Sequence, residues 1–231
     1  MTNSRRPPSP SNSVILVPVY KDCEPETRES LYWLDNAGWR VEFRHGGSAI
    51  DGQRSTMATW AIQHGFEWLF WVDSDIHFAP TDFMALVETE GDFVCAPYMR
   101  KTPMGTLALL EVGGEEVAAG FGFMKTHRDI YHANPCKQSP EGPILFPYFR
   151  PQVWDMPWGP AYYAEDYSFC LRAREHGHRL KVNHDIKIGH IGRYCYRYDV
   201  DGAQPIPTAE LQLRLGQGTV TNAGQVLRDE P

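Results

Sequence analysis

The chain has 231 residues, which is enough for one α/β domain with a sizeable core and short for two full domains. Its formal net charge of −7 at pH 7 provides no global basic field, which disfavours a protein that holds duplex nucleic acid through many phosphate contacts. The five cysteines are scattered and never form a C-x-x-C pair, which argues against a disulfide framework and against a zinc cluster.

The two ends of the chain lack the pattern of a folded segment. Residues 1–12 are rich in Pro, Ser and Asn without periodicity, so we expect a disordered tail there. Residues 199–231 carry Gly, Gln and Pro, and we expect a C-terminal extension that is partly disordered, which leaves residues 13–198 as a single domain. No apolar signal region follows the N-terminal arginines and no stretch reaches the length of a membrane span, so the expected location is the cytoplasm.

The first half of the chain alternates strands with helices. Apolar runs and stop signals predict strands at 14–19, 39–44, 68–72 and 93–98 and helices at 26–36, 53–64 and 81–90. This alternation predicts an α/β fold with a mainly parallel central sheet and helices on both faces. Ligands of such sheets bind at the carboxyl ends of the strands, and Tyr20 and Asp73 fall on that edge.

The second half of the chain is less regular. Strands are predicted at 107–112 and 117–123 around a Gly113-Gly114 turn, and short strands at 179–182 and 185–188. A segment at 126–129 resembles a helix-capping box, and a longer helix is predicted at 165–176. Residues 134–160 are rich in Pro, Gly and aromatic residues, a composition that suits an ordered loop over a binding site.

The strongest chemical signal is an apolar strand that ends in Asp73-Ser74-Asp75. Two carboxylates at a sheet edge repel each other, and a cation or hydrogen-bonded partners must relieve that repulsion. Hard divalent ions such as Mn²⁺ or Mg²⁺ suit oxygen ligands and can bridge a diphosphate. A D-x-D pair by itself is equally typical of acidic residues that only cap a turn after a strand.

Two further motifs follow along the chain. Glu165-Asp166 opens the predicted helix at 165–176, where the carboxylates also suit the helix dipole alone. His190 stands in a Gly-His-Ile-Gly segment, where an ordinary turn histidine would fit equally. The three motifs in this order are much more specific than any one of them.

Over roughly residues 14–195 these motifs resemble those of the A-type (GT-A) glycosyltransferases, and the chain is similar to compact bacterial and viral members like the large family-two group. The resemblance implies a Rossmann-like GT-A fold. It also implies transfer of a sugar from a nucleotide-sugar, with a UDP-sugar as the expected donor, to an acceptor hydroxyl. The implied cofactor is Mn²⁺ or Mg²⁺, which would act as a Lewis acid on the departing diphosphate.

The resemblance further implies roles for individual residues. Asp75 would ligate the metal together with His190, and Asp73 would bind the ribose or support the metal. Asp166 would be the catalytic base, with Glu165 beside it. The remaining candidates are donor-binding residues at Pro18, Tyr20, Arg54 and Ser74, the Gly122 segment of the sugar and acceptor pocket, and, from local composition, Trp158 and Arg100 at the acceptor.

The sequence leaves the class of acceptor open. A glycan, a lipid-linked sugar or a protein is the first expectation, and a hydroxymethylated base of phage-type DNA is the alternative, motivated by Arg100-Lys101 and the aromatic loop. Three other classes of protein remain as alternatives. A haloacid-dehalogenase-type phosphatase would carry D-x-D after its first strand, a nucleotidylyltransferase would carry a glycine-rich loop after Val19, and a nucleotide-sugar-binding module would bind the donor without turnover.

Overall fold

The computed structural model describes residues 5–46, 49–102, 105–137, 140–192, 194–197 and 206–207. The helices are α1 (Pro25–Asn36), α2 (Ile50–Gln63), α3 (Pro80–Glu88) and α4 (Glu165–Glu175), with one 3-10 turn at Arg128–Ile130. The strands are β1 (Ser13–Val19), β2 (Arg40–His45), β3 (Trp68–Val72), β4 (Ile76–His77), β5 (Phe93–Cys95), β6 (Leu109–Val112), β7 (Glu115–Ala119), β8 (Phe123–His127), β9 (Cys136–Lys137), β10 (Ile144–Leu145), β11 (Gln152–Met156), β12 (Gly159–Tyr163), β13 (Lys181–Val182), β14 (Gly189–Ile191), β15 (Tyr194–Arg197) and β16 (Ile206–Pro207).

A six-stranded sheet in the order β13-β5-β8-β3-β1-β2 forms the centre of the molecule. All neighbouring strands are parallel except at β8, which is antiparallel to both β3 and β5. Alternate residues of β1 pack on opposite faces: Val14 and Leu16 belong to the core with α2 and α4, while Ile15 and Val17 belong to the core with α1 and α3. The predicted fold class, a mainly parallel sheet with helices on both faces, is confirmed.

Two of the inner strands, β1 and β3, are buried on both faces, which explains their sequence. Every residue of β1 and of β3 is buried, so both read as continuous apolar runs rather than as alternating ones. Each fully buried Leu or Phe side chain contributes about 1.5–3 kcal/mol relative to exposure, so these runs hold the carboxyl ends of β1 and β3 in a fixed place.

The hairpin predicted around Gly113 and Gly114 is present as β6 and β7, with φ of 61° and 80° at the two glycines, but the bounds 117–123 of its second strand are wrong. That strand ends at Ala119, and the chain then returns through the central sheet as a separate strand, β8. Thr126 lies in β8 rather than in a helix cap, and its hydroxyl donates to the Leu69 carbonyl at 2.9 Å. Polar residues in β8 hid this strand from the apolar pattern, because the interior satisfies their hydrogen bonds.

The strand predicted at 185–188 is also wrong. Ile186 and Ile188 are buried in the core, but the next strand is β14, which pairs antiparallel with β4 in a separate small sheet. In that register His190 lies opposite Ile76, directly after the Asp73-Ser74-Asp75 loop. The small sheet therefore brings the third motif to the first.

Part of the predicted tail, within residues 5–12, contacts the domain. Arg5 pairs with Asp92 and, at 3.0 Å, with Asp129, and the Trp68 indole donates to the Arg6 carbonyl at 2.9 Å. Residues 1–4 lie outside the described residues, as does the predicted extension at 199–231 apart from β16. Within the described ranges no helix is long and apolar enough to cross a membrane.

Candidate active site

Backbone hydrogen bonds fix the acidic loop Asp73-Ser74-Asp75 from three sides. The Asp73 amide donates to the Gly122 carbonyl at 3.0 Å, which ties the loop to the start of β8. The Ser74 carbonyl accepts from the Glu24 amide at 2.8 Å, and the Asp75 carbonyl accepts from the Ile191 amide at 2.7 Å. The loop is therefore held against α1 and β14, so its carboxylates have little freedom to move apart.

Arg54 joins the acidic loop to the start of α4. Its Nη2 donates to Asp73 Oδ1 and its Nη1 donates to Glu165 Oε1, each at 2.6 Å. Burial opposes the charge of this side chain, which is 3% exposed, but the two carboxylates outweigh burial and raise the pKa of Arg54. The contact between Arg54 and the donor stays a prediction; in the structure Arg54 lines the site and holds Asp73 and Glu165 in position.

Two cavities meet at Asp166. The first, of about 270 Å³, contains the acidic loop and is lined by Pro18, Tyr20, Ile50, Arg54, Asp73, Ser74, Asp75, Glu165 and Asp166. The second, of about 410 Å³, is lined by Tyr98, Arg100, Lys101, Ala108, Tyr163, Ala164, Asp166, Tyr167 and His190. We call the first the acidic cavity and the second the tyrosine cavity. Because Asp166 lines both, it lies at the boundary between the two cavities.

The carboxylate of Asp166 is unusually basic. Burial is the main cause, the charge of Glu165 adds to it, and together they raise the pKa of Asp166 to about 6 although Arg54 and the Tyr167 amide oppose them. The Tyr167 amide donates to Asp166 Oδ1 at 2.7 Å. The start of α4 therefore orients this carboxylate but does not set its pKa, because burial has the larger effect.

Asp75 and His190 form a second functional pair. His190 Nδ1 lies 2.9 Å from the Met99 carbonyl, which only accepts hydrogen bonds, so this nitrogen carries the proton and neutral His190 has its Nε2 lone pair free. That Nε2 lies 3.5 Å from Asp75 Oδ1, and Lys101 pairs with Asp75 Oδ2. Burial opposes ionisation of Asp75, but His190 in its protonated form, which donates from Nε2, and Lys101 lower the pKa of Asp75 overall.

Asp75 and His190 could be two ligands of a divalent ion, but they do not form a complete protein cage for one. In the ranges that the structure describes, no three His, Cys, Asp or Glu side chains cluster as metal ligands. Asp75 and His190 offer one oxygen and one nitrogen that face each other, a mixed set that Mn²⁺ and Zn²⁺ tolerate better than Ca²⁺ does. Further coordination would come from a ligand's oxygens and from water. Asp73 contributes less to such a site, because Arg54 occupies its Oδ1.

Gly122 shapes the tyrosine cavity because it leaves room for the Tyr98 ring. A Cβ added at Gly122 would lie 2.8 Å from Tyr98 Cζ, and one added at Gly120 would lie 2.2 Å from the Tyr98 hydroxyl. Only glycine at both positions lets the ring lie against this backbone, where the Gly122 amide donates to the hydroxyl at 3.2 Å. The Tyr98 ring also packs edge-to-face with the His190 ring, with 5.0 Å between the ring centroids.

The structure separates Trp158 from the candidate site. Trp158 lies in the turn between β11 and β12, is 59% exposed and lines neither cavity. Tyr163 and Tyr167 take the place expected for it, and Arg100 does line the tyrosine cavity. Sequence reasoning did not single out Tyr98 or Tyr167 for the site; the G-x-G spacing of Gly120 and Gly122 was the signal that a ring packs on this backbone.

The comparisons with known proteins support the fold. No protein-family model matches the chain, and no curated protein matches it in sequence. Among solved structures the chain is similar to A197 from STIV, with a TM-score of 0.50 and 15% identity over 84% of this chain and 97% of that chain. At this level of identity the likeness shows a shared fold and no more.

Two transferases are similar at lower scores. The inositol-1-phosphate CTP transferase from T. maritima has a TM-score of 0.39 and 14% identity over 74% of this chain and 65% of its own. TarS 1-349 from S. aureus, solved in complex with UDP-GlcNAc, has a TM-score of 0.38 and 12% identity over 81% of this chain and 58% of its own. Because TM-scores below 0.5 do not establish a common fold, neither activity is transferred to the chain.

Proposed function

We propose that the protein is a metal-dependent glycosyltransferase of the GT-A fold, which transfers a sugar from a nucleotide-sugar to an acceptor hydroxyl. The observation that carries this proposal is the position of Asp166, a carboxylate with a pKa of about 6 at the boundary between the acidic and tyrosine cavities. A general base must touch the acceptor while it faces the reacting centre of the donor, and this boundary satisfies both needs.

The acidic cavity is the proposed donor site. Pro18 and Tyr20 stand at the end of β1, and the Tyr20 ring is 64% exposed and available to stack on a nucleobase. Uridine is the preferred base, on the motif resemblance. Asp73 and Ser74 line the same cavity and offer hydrogen-bond acceptors to ribose hydroxyls.

The charge of the acidic cavity explains why a metal is part of the proposal. Four carboxylates line it, and Arg54 is its one cationic lining residue among the described side chains. These carboxylates would repel a diphosphate, and an added cation would offset that repulsion. Mn²⁺ or Mg²⁺ held by Asp75 and His190 would supply that charge and would stabilise the departing diphosphate.

The chemistry of transfer then rests on Asp166. The acceptor oxygen forms a bond to the anomeric carbon, the bond from that carbon to the diphosphate oxygen breaks, and the acceptor proton passes to the Asp166 carboxylate. Attack from the side opposite the leaving group inverts the anomeric configuration. Arg54 and the Tyr167 amide hold the carboxylate in place, because they fix Glu165 and Asp166 Oδ1.

The test is a screen of nucleotide-sugars with Mn²⁺ or Mg²⁺ in which the released nucleoside diphosphate is measured, with wild-type protein beside Asp166→Asn. We expect release from a UDP-sugar that depends on the metal and on Asp166. UDP with Mn²⁺ should also raise the melting temperature. Stabilisation by a guanosine or cytidine nucleotide instead would change the donor, and donor binding without any release across acceptors would favour a binding module over an enzyme.

A further inference from the structure

The tyrosine cavity contains an arginine, Arg100, that has no carboxylate partner among the described residues. Beside it Lys101 pairs with Asp75, and His190 faces the same carboxylate. Arg100 makes no ion pair with any carboxylate in the described part of the chain. A guanidinium that lines a cavity and has no carboxylate partner there is available to a ligand.

Arg100 is nevertheless held in a defined position. Its Nη2 donates to the Tyr167 hydroxyl at 2.6 Å, and its guanidinium carbon lies 5.6 Å from the centre of the Tyr167 ring. Its backbone amide donates to the Thr106 carbonyl at 2.8 Å, and the preceding residue, Met99, accepts from His190. The backbone is thus anchored at Arg100 and at the preceding residue, which lowers the entropic cost of binding a ligand there.

The contact with Tyr167 uses one of the five N–H donors of the guanidinium. The remaining donors form a planar fork, whose geometry suits two oxygens of a phosphate group. The rings of Tyr98, Tyr163 and Tyr167 line the walls beside it, and aromatic faces suit the body of a sugar or a base. A volume of about 410 Å³ is sufficient for one ring that carries a phosphate.

We propose that the acceptor is a phosphorylated compound, whose ring packs on the tyrosines, whose phosphate ester is bound by Arg100 and whose hydroxyl reaches Asp166. This inference rests on the proposed glycosyltransferase activity and narrows its acceptor class. Arg100 is then a specificity-determining residue, which contributes to binding of the acceptor and takes no part in bond making. The phosphate monoester of a sugar and that of a nucleotide offer Arg100 the same group, so the test separates these two sources.

The experiment compares matched acceptors that differ only by the phosphate: a hexose with its 6-phosphate, and a hydroxymethylated pyrimidine nucleoside with its 5′-monophosphate. Transfer from the active donor should be more efficient, by roughly ten- to hundredfold in kcat/KM, for the phosphorylated member of at least one pair, since a hydrogen bond to a charged group is worth about 1.5–3 kcal/mol. Arg100→Gln should remove this preference, mainly through KM. Arg100→Lys should retain part of it, because the charge remains without the planar fork.

Arg179→Gln is the matched control, because Arg179 is an exposed arginine that lines neither cavity, and the preference should survive there. Inorganic phosphate is a second probe that does not depend on turnover. With UDP and Mn²⁺ filling the acidic cavity, phosphate should stabilise the wild-type protein against heat, and Arg100→Gln should weaken its apparent affinity at least about tenfold.

Two results would overturn the inference: equal efficiency for the neutral and phosphorylated members of both pairs, or a phosphate preference and phosphate affinity that Arg100→Gln leaves unchanged. Failure of the proposed function looks different. In that case no UDP binding and no metal-dependent release of nucleoside diphosphate would be seen with any acceptor, phosphorylated or neutral.

Discussion

Arg54 Nη1 lies 2.6 Å from Glu165 Oε1, although the two residues are 111 positions apart in the chain. The same guanidinium also binds Asp73, so one buried cation joins the carboxyl end of β3 to the start of α4. Without Arg54 two carboxylates would face each other across the acidic cavity with no counter-charge. We therefore expect this ion pair to contribute both to the stability of the fold and to the geometry of the site.

The first prediction concerns this pair. Arg54→Met should lower the free energy of unfolding by about 3–5 kcal/mol, the usual cost when one partner of a buried ion pair is removed. Arg54→Lys should lower it less, because one ammonium keeps the charge but cannot reach both carboxylates with a planar fork. Denaturant unfolding measures both. Arg179→Met, which breaks an exposed pair with Glu115, should cost less than about 1 kcal/mol, and an equal loss in both Met variants would contradict the buried role.

The second prediction is a pH profile. If Asp166 is the general base, kcat/KM should rise with pH through about 6, because only the ionised carboxylate accepts a proton. Asp166→Asn should retain donor affinity and lose transfer by roughly 10²–10⁴-fold. In Glu165→Gln the rise should move to lower pH, since the charge of Glu165 helps to raise the pKa of Asp166. A profile that does not shift in Glu165→Gln would contradict this electrostatic coupling.

The third prediction separates a functional carboxylate from a structural one. The pKa of Asp166 is raised in the folded protein to about 6 from an ordinary value of 3.8, so its contribution to stability is complete below about pH 4 and is lost as the pH rises through 6. Asp166→Asn removes this penalty while Oδ1 can still accept from the Tyr167 amide. The variant should be more stable than wild type by about 1–3 kcal/mol at pH 8, with little difference at pH 4. A variant that is less stable at pH 8 would show that the carboxylate is structural.

Local patterns predicted the parts of the fold that local physics determines. The apolar runs of β1 and β3, the glycine stop after α4 and the Gly113-Gly114 turn are each encoded within a few residues, and the structure has them. The antiparallel insertion of β8 was missed, because Lys125 and Thr126 are polar and find their partners only in the folded core. Lys125 donates to backbone carbonyls at the end of α3, and no periodicity reveals that contact.

In the candidate site, too, local patterns predicted some residues, while contacts between distant segments were not predicted. Motif spacing indicated Asp73, Asp75, Asp166 and His190, because the ends of strands and the start of a helix are where such groups collect. The double contact of Arg54 and the pairing of Lys101 with Asp75 depend on segments that are distant in sequence. Trp158 was proposed from composition alone, and the turn at which it lies faces solvent.

The fourth prediction tests how the tyrosine cavity is built. Gly122→Ala places a Cβ 2.8 Å from Tyr98 Cζ and Gly120→Ala places one 2.2 Å from the Tyr98 hydroxyl, so each should cost about 1–3 kcal/mol of stability. Tyr98→Phe removes the hydroxyl but not the ring. Added to Gly120→Ala it should recover a larger part of the loss than when added to Gly122→Ala, where the nearest atom is in the ring. Double-mutant cycles on unfolding free energies measure this, and equal recovery in both would contradict the packing.

The last prediction concerns the metal. Asp75 and His190 face each other with two acceptor atoms 3.5 Å apart, an arrangement that a cation between them would stabilise. Asp75→Asn and His190→Ala should each weaken Mn²⁺-dependent binding of UDP by at least about tenfold, since loss of groups that only orient a ligand already costs ten- to hundredfold. Titration calorimetry with UDP, with and without Mn²⁺, measures this difference. Asp155→Asn, an exposed aspartate on β11 that lines neither cavity, should bind like wild type. UDP affinity that does not depend on Mn²⁺ in the wild-type protein would remove the metal from the proposal, and unchanged affinity in both site variants would place it elsewhere.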